Sequence, residues 1–477
     1  MKHNCRRVNS FLKSINQEII LFTILLLITI FIRFYNIEKW FLLNQDEINV
    51  IERLNLPLLE SGDPSGTYIP SVILSKLFFV NKFSELRYVS AFINSISVIL
   101  VYFTMKLFVD WKKSILGTLF LSIHWYLLFM SRIFEQSSLN MLLVIIPLYL
   151  YFKWKKTKNG LLIYIAFIFL GIQLLNYIPL IAYFGPPFFL WIIYQTKKGR
   201  ISNKILYTSI FIFFLISIPY LCASLFYQEN YNQFEYIKWI YQKLGISYNS
   251  FYLLNAAKYN LTLNTLTETL LLSTQHFPLI IFIIVIPLVI YLLIKLNKKE
   301  RKDENLDFLC WMCYISLFLV IVSPTPIYGM SHFIPFLIFF VFFLVKLLEH
   351  KWNYAIMSII FLLLIFNISW LPQINKNEFN DLEWLKIYIA KNDIKEIYMQ
   401  TNLYRMVEKM DIFPKNNIKT FFCNELNETL NQFNESKIII LYNNPFQGCS
   451  LLETQKYGLQ TFVQSEFIFI GKNLPTS

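Results

Sequence analysis

Asp46 and Glu47 are adjacent carboxylates in a polar stretch, NIEKWFLLNQDEINVIERLNLPLLESGDPSG, that lies between two long apolar runs. If the first run ends as a helix near Tyr35, the pair sits just outside a bilayer. There a carboxylate stays ionised and still reaches a substrate anchored in lipid. The chemistry open to it is general-base activation of a hydroxyl. Two neighbouring acids in a polar loop are more often plain solvated charge, so the pair acquires meaning only from what faces it. Arg87 and Arg132, both expected at helix ends on the same side, carry guanidiniums that stay charged and grip oxyanions in a fork. Taken singly, each is equally well read as an interfacial, snorkelling side chain. Lys76, in PSVILSKLFFVNKF, is a weaker cation of the same kind, and Lys258 is weaker still.

The elements that must position these groups are membrane helices. The chain has 477 residues, 56% hydrophobic and 15% charged, with a mean hydropathy of +0.48. A water-soluble protein of this size does not tolerate that surface, so the composition predicts a polytopic membrane protein. The net charge of +13 raises nucleic acid as a partner. The Lys and Arg residues, however, fill alternate short gaps between apolar runs, which is the positive-inside pattern and excludes a phosphate-tracking stripe.

The basic start MKHNCRRVNSFLK precedes the apolar run Ile19 to Ile32, with no small-residue cleavage site after it. An uncleaved first helix with a cytoplasmic amino end is expected, and Arg33, Phe34 and Tyr35 mark where it leaves the apolar layer. Pro70 to Phe83 is too short to span and reads as an interfacial helix. Spans are then expected at about 86–108, 114–130, 139–152, 161–175, 179–194, 205–226, 277–294, 308–322, 333–348 and 354–370, giving about 11 transmembrane helices with every basic gap on one side. The C-terminus then falls outside the cytoplasm. Residues 1–371 form the expected membrane domain. Residues 372–477 have a soluble pattern, with EFNDLEWLKIYIAK helix-like and EIYMQ, IKTFF, KIIILYN and FIFIG strand-like, and suggest a small α/β extracytoplasmic domain.

Six cysteines are too few and scattered for a disulfide framework. Cys310 and Cys313 form a CxxC inside an apolar run and are expected to pack on one helix face. Cys423 and Cys449 could pair in an oxidising compartment. The Asn-x-Ser/Thr triplets at Asn260, Asn427 and Asn434 are expected by chance in so Asn-rich a chain. The sequence contains no P-loop, HExxH, GxSxG, dinucleotide fingerprint or internal repeat.

A first helix, an outside DE pair, LLESGDPSG, an interfacial helix and then ELRYVSAFINSISVILVYFTMKLF together resemble the polyprenyl-phosphate-sugar-dependent glycosyltransferases of the GT-C class. Protein mannosyltransferases and bacterial aminoarabinose transferases belong to that class. SRIFEQSSLNMLLVIIPLYLYFKW extends the resemblance, which covers about residues 15 to 155 and is topological only from 155 to 370. It implies inverting transfer of a sugar from a polyprenyl-phosphate donor to an acceptor hydroxyl outside the cytoplasm, the acceptor being a glycan, lipid or protein. It implies Asp46 as general base, Glu47 as its orienting partner or a second acceptor contact, and Arg87, Arg132, Lys76 and His332 on the donor phosphate. Glu135 is a candidate second acid, or with Asp46 a ligand to a divalent cation, Mg or Mn; no cofactor is certain. Where some relatives carry an Asp after SR, this chain has Ser137 and Ser138, which puts metal dependence in doubt. His332 on its own reads more readily as a capped interfacial residue. The competing functions are a transporter or flippase of lipid-linked precursors and a non-catalytic subunit of the same fold. Acids at the boundary, rather than in mid-span, count against the transporter. The expected location is the plasma membrane of a bacterium, with membrane lipid as a partner and no nucleic acid.

Overall fold

The computed structural model describes residues 2–35, 37, 50, 54, 69–80, 83–134, 136–176, 178–226, 277–296, 303–322, 334–350, 353–374, 396–400, 417–421, 437–442, 460–464 and 467–471. The chain divides into two compact units, one holding α1, α2 and the helices from Leu86 to Ile374, the other holding the sheet.

In the helical unit the first apolar run forms α1 (Lys2–Phe34), which reaches back through the basic start of the chain. Its buried stripe runs Leu25, Thr29 and Arg33, spaced four apart, while Ile19, Leu27 and Phe31 on the other faces are exposed. An apolar exterior with a polar inner stripe inverts the soluble pattern and suits a hydrocarbon surround. Thr29 donates across to Ser122, 3.1 Å away. After α2 (Ile69–Leu77) comes α3 (Phe83–Met105). Among the described residues, Ile15–Phe34 and Glu85–Met105 are long and apolar enough to cross a membrane by length and composition.

One expectation is corrected. The run at 114–130 is not one helix but α4 (Trp111–Ile123) and α5 (Trp125–Met130), parted at His124, whose ψ of 116° is not helical. The cause lies in the preceding turns. Ser114, Thr118 and Ser122 each donate their hydroxyl to the carbonyl four residues back, which competes with the main-chain ladder and loosens it.

A short 3-10 turn, Gln136–Leu139, leads into α6 (Asn140–Thr157). Next come α7 (Leu161–Asn176), α8 (Ile178–Lys197) and α9 (Asn203–Phe226). The remaining helices are α10 (Phe277–Leu296), α11 (Glu304–Val322), α12 (Ile334–Leu347) and α13 (Asn353–Ile374). Prolines inside two of these helices are compensated by neighbours. Pro147 cannot donate to Leu143, and the Gln173 amide donates to that carbonyl at 2.5 Å instead. Pro187 likewise leaves the Tyr183 carbonyl without its helical donor, and the Ser316 hydroxyl supplies one at 2.9 Å. Without water, a freed carbonyl needs such a substitute. Cys310 and Cys313 are free and buried on α11, as expected of a packing CxxC.

The basic gaps converge at one end of this unit. Glu18 near the start of the apolar part of α1 pairs with Lys106 after α3. Glu304 pairs with Lys155 at 3.5 Å and with Arg200, and Lys346 pairs with Asp303 at 3.0 Å and with Glu349. Burial works against the Asp303 carboxylate. The Lys346 charge and hydrogen bond, with the main-chain N–H groups of Leu306 and Asn305, nevertheless hold its pKa below the ordinary 3.8.

In the second unit five strands, β1 (Glu396–Gln400), β2 (Asn417–Phe421), β3 (Lys437–Tyr442), β4 (Gln460–Gln464) and β5 (Phe467–Gly471), form one sheet in the order β2-β1-β3-β5-β4. β1 is parallel to β2 and β3, and β5 is antiparallel to β3 and β4. Ile397, Tyr398 and Met399 are all buried, as a central parallel strand requires. Gln460–Gln464, flanked by glutamines and lying at the sheet edge, is a strand the sequence pattern did not mark. Cys423 and Cys449, the three Asn triplets and the helix-like EFNDLEWLKIYIAK lie outside the described residues.

Candidate functional site

The end of the helical unit away from the ion pairs is where the candidate cations gather. Along α1, Glu18 and Arg33 are about 22 Å apart at 1.5 Å per residue. Three elements meet there through short-range contacts. Phe34 of α1 stacks on Tyr88 of α3, ring centroids 5.9 Å apart. Ser90 of α3 donates to the Met130 carbonyl at 3.3 Å. Asn94, one turn on, donates to the Ser90 and Ser138 carbonyls at 3.0 and 3.1 Å. These bonds tie the segment between α5 and α6 to α3. Arg132 lies in that segment and donates from Nη2 to the Ile32 carbonyl at 2.5 Å, closing an open carbonyl at the end of α1.

Arg33, Arg87 and Arg132 are buried, at 0%, 4% and 1% exposure. Among the described residues the only other buried Lys or Arg is Lys346, in the ion-paired cluster, and no Asp or Glu is buried. Buried guanidiniums at this end present forks of the kind that grip an oxyanion.

Arg87 and Arg132 are thus brought to one end, buried rather than snorkelling. Lys76 is exposed on α2 and has no such placement. Asp46, Glu47, Glu135, Lys258 and His332 lie outside the described residues. Ser138 is buried and donates to the Ile133 carbonyl at 2.9 Å, a turn-forming role. Among the described residues no group of three or more His, Cys, Asp or Glu could hold a metal ion. Arg33 is the residue that sequence reasoning passed over. Its position at the end of an apolar run marked a boundary, and nothing in a single sequence shows that it turns inward.

A separate apolar groove of about 440 Å³ lies between α7, α8 and α9, lined among others by Phe167, Leu170, Phe189 and Phe213. Its lining is chemically suited to a hydrocarbon chain.

Residues 64–222 match the family model of dolichyl-phosphate-mannose-protein mannosyltransferases. The structure of ArnT from Cupriavidus metallidurans bound to undecaprenyl phosphate superposes with a TM-score of 0.52 at 9% identity, over 94% of this chain and 97% of that one. The chain has the GT-C glycosyltransferase fold. The Archaeoglobus fulgidus oligosaccharyltransferase, solved with Zn and sulfate, overlaps at a TM-score of 0.45 and 14% identity, over 88% of this chain and 68% of that one. No curated protein matches in sequence. The GT-C resemblance read from the first helices therefore holds: the family match spans α2 to most of α9, and the fold likeness extends over nearly the whole chain.

Proposed function

We propose that this GT-C protein is an inverting membrane glycosyltransferase that moves a sugar from a polyprenyl-phosphate donor to an acceptor hydroxyl on the extracytoplasmic side. The observation that carries the proposal is the set of three buried arginines at one end of the helical unit, flanking in sequence the stretch that bears Asp46 and Glu47. Asp46 takes the proton of the acceptor hydroxyl as its oxygen attacks the anomeric carbon. The bond from that carbon to the phosphate oxygen breaks, and the electron pair leaves with the polyprenyl phosphate. That leaving group is an anion already and needs charge stabilisation more than protonation, which guanidiniums supply. Glu47 orients the base or itself makes a second acceptor contact. Glu135 acts as a second acid or, with Asp46, holds a divalent cation, and His332 and Lys76 bind the donor phosphate as weaker cations.

The basic gaps, gathered at the opposite end, support a cytoplasmic location for that end by the positive-inside rule. About 11 spans in residues 1–371 and an extracytoplasmic α/β domain in residues 372–477 belong to the same proposal, supported by the same charge and hydropathy pattern, as does a bacterial plasma membrane, supported by the heavy use of Ile, Lys, Asn and Phe. The family match and the lipid phosphate bound to the ArnT structure support the donor class.

The test is Asp46→Asn in protein shown to insert normally. Loss of a general base lowers transfer from a polyprenyl-phosphate sugar by about 10² to 10⁴. Transfer at the unaltered rate would overturn the mechanism.

A further inference from the structure

A cavity of about 680 Å³ opens at the ion-paired end of the helical unit. It lies between the last turn of α6, the end of α8 with the turn that follows it, and the start of α11. That turn has a fixed form. Gly199 takes a φ of +70°, its N–H donates to the Thr196 carbonyl at 2.8 Å, and the Arg200 N–H reaches back to the Gln195 carbonyl at 3.0 Å. This closure ends α8 and leaves Lys198 and Arg200 on the cavity wall.

The acids in the lining are answered mostly from outside it. Asp303 accepts the main-chain N–H groups of Asn305 and Leu306 at 3.0 and 3.1 Å and pairs with Lys346 at 3.0 Å. Asp307 accepts the Tyr291 hydroxyl at 3.1 Å and pairs with Lys295. Glu304 is shared by two lining cations, Lys155 at 3.5 Å and Arg200. The third lining cation, Lys198, lies over the Tyr194 ring with Nζ 4.4 Å from its centroid and makes no ion pair among the described residues. Positive charge is therefore in surplus on the α6 and α8 side of the cavity.

We infer that this cavity binds the phosphodiester headgroup of an anionic bilayer phospholipid. The two non-bridging phosphate oxygens are acceptors for Lys198 and Arg200, and the glycerol joined to them occupies volume that a free phosphate would leave empty. A zwitterionic headgroup fits less well, because its ammonium would compete with Lys346 and Lys295 for carboxylates already paired. Trp191 and Tyr194 stand on the same wall with ring centroids 5.2 Å apart. Such aromatics settle at headgroup depth, and a basic pocket between helices at that depth is an electrostatic trap for lipid phosphate. The occupant is a bilayer lipid and not the sugar donor, so the site stands independently of the transfer mechanism.

The experiment uses the full chain in nanodiscs of phosphatidylcholine, alone or with part of the lipid replaced by phosphatidylglycerol or phosphatidylethanolamine. Thermal unfolding and the lipid retained in native mass spectrometry are measured. Wild type should be stabilised by phosphatidylglycerol and retain it in preference to the other two. Lys198→Gln breaks no ion pair, so it should keep the wild-type Tm in phosphatidylcholine while holding phosphatidylglycerol about fivefold more weakly. Lys198→Arg should restore retention. Lys112→Gln, at an exposed position on α4 outside the cavity lining, should leave retention unchanged. Wild-type retention in Lys198→Gln overturns the site, and an equal loss in Lys112→Gln overturns it in favour of diffuse surface attraction. Equal retention of phosphatidylethanolamine overturns the anionic headgroup. Glycerol 3-phosphate or inorganic phosphate giving the same Lys198-dependent stabilisation in phosphatidylcholine overturns the lipid as the source of the phosphate.

Discussion

Arg132 does two things with one side chain. It caps the end of α1 through Ile32 and adds a cation to the interior of the same helix end. Its position depends in turn on Asn94, whose amide holds both the Ser90 and Ser138 carbonyls. Asn94→Leu leaves a buried carbonyl without its donor and should lower stability by about 1–3 kcal/mol. Because the freed segment carries Arg132, the variant should also raise KM for a polyprenyl-phosphate sugar more than it lowers kcat. Steady-state kinetics against donor concentration, beside a thermal melt, checks both effects. Which residues the site contains was only partly legible. Arg87 and Arg132 were visible as cations expected at helix ends, but snorkelling and burial give the same sequence pattern, and only packing separates them.

At the scale of elements, the helices hold their prolines by borrowing donors from neighbours. The Ser316 hydroxyl of α11 replaces the N–H that Pro187 lacks in α8, and the Trp311 indole donates to the Pro187 carbonyl itself at 2.9 Å. Ser316→Ala should therefore cost about 1 kcal/mol. Adding Pro187→Ala restores a main-chain donor for the Tyr183 carbonyl and should recover most of the loss, a coupling that a double-mutant cycle in detergent unfolding would reveal. Close approach between helices is equally specific. A Cβ on Gly171 of α7 would stand 2.7 Å from the Ile216 Cβ of α9, so Gly171→Ala should destabilise by about 1–3 kcal/mol through overpacking. Helix positions were readable because long apolar runs have few alternatives. The break at His124 was not, because it arises from hydroxyl-to-carbonyl bonds that compete only once the helix has formed.

For the whole molecule, the helical unit is polarised, with ion pairs at one end and buried arginines at the other. The paired end sets the acid response. The Asp303 pKa is depressed in the folded protein, so its contribution to stability is present above its unfolded value, near 3.8, and is lost as pH falls through the lower folded one. The unfolding midpoint should hold from neutral pH down to about pH 4 and drop below it. Asp303→Asn should lower the midpoint at neutral pH and flatten that acid limb, which melts across a pH series would show.

The sequence by itself determined the element order of the helices, the grouping of basic gaps and four of the five strands. Each rests on local periodicity, length or charge, which a chain carries without its neighbours. Only the tertiary structure decided that Arg33 faces inward, that Ser316 and Gln173 repair proline-broken helices, and that Gln460–Gln464 completes a sheet. Those facts depend on which side of a helix or strand another element covers. Burial and hydrogen-bond satisfaction are properties of pairs of elements, and no single stretch of chain encodes its partner.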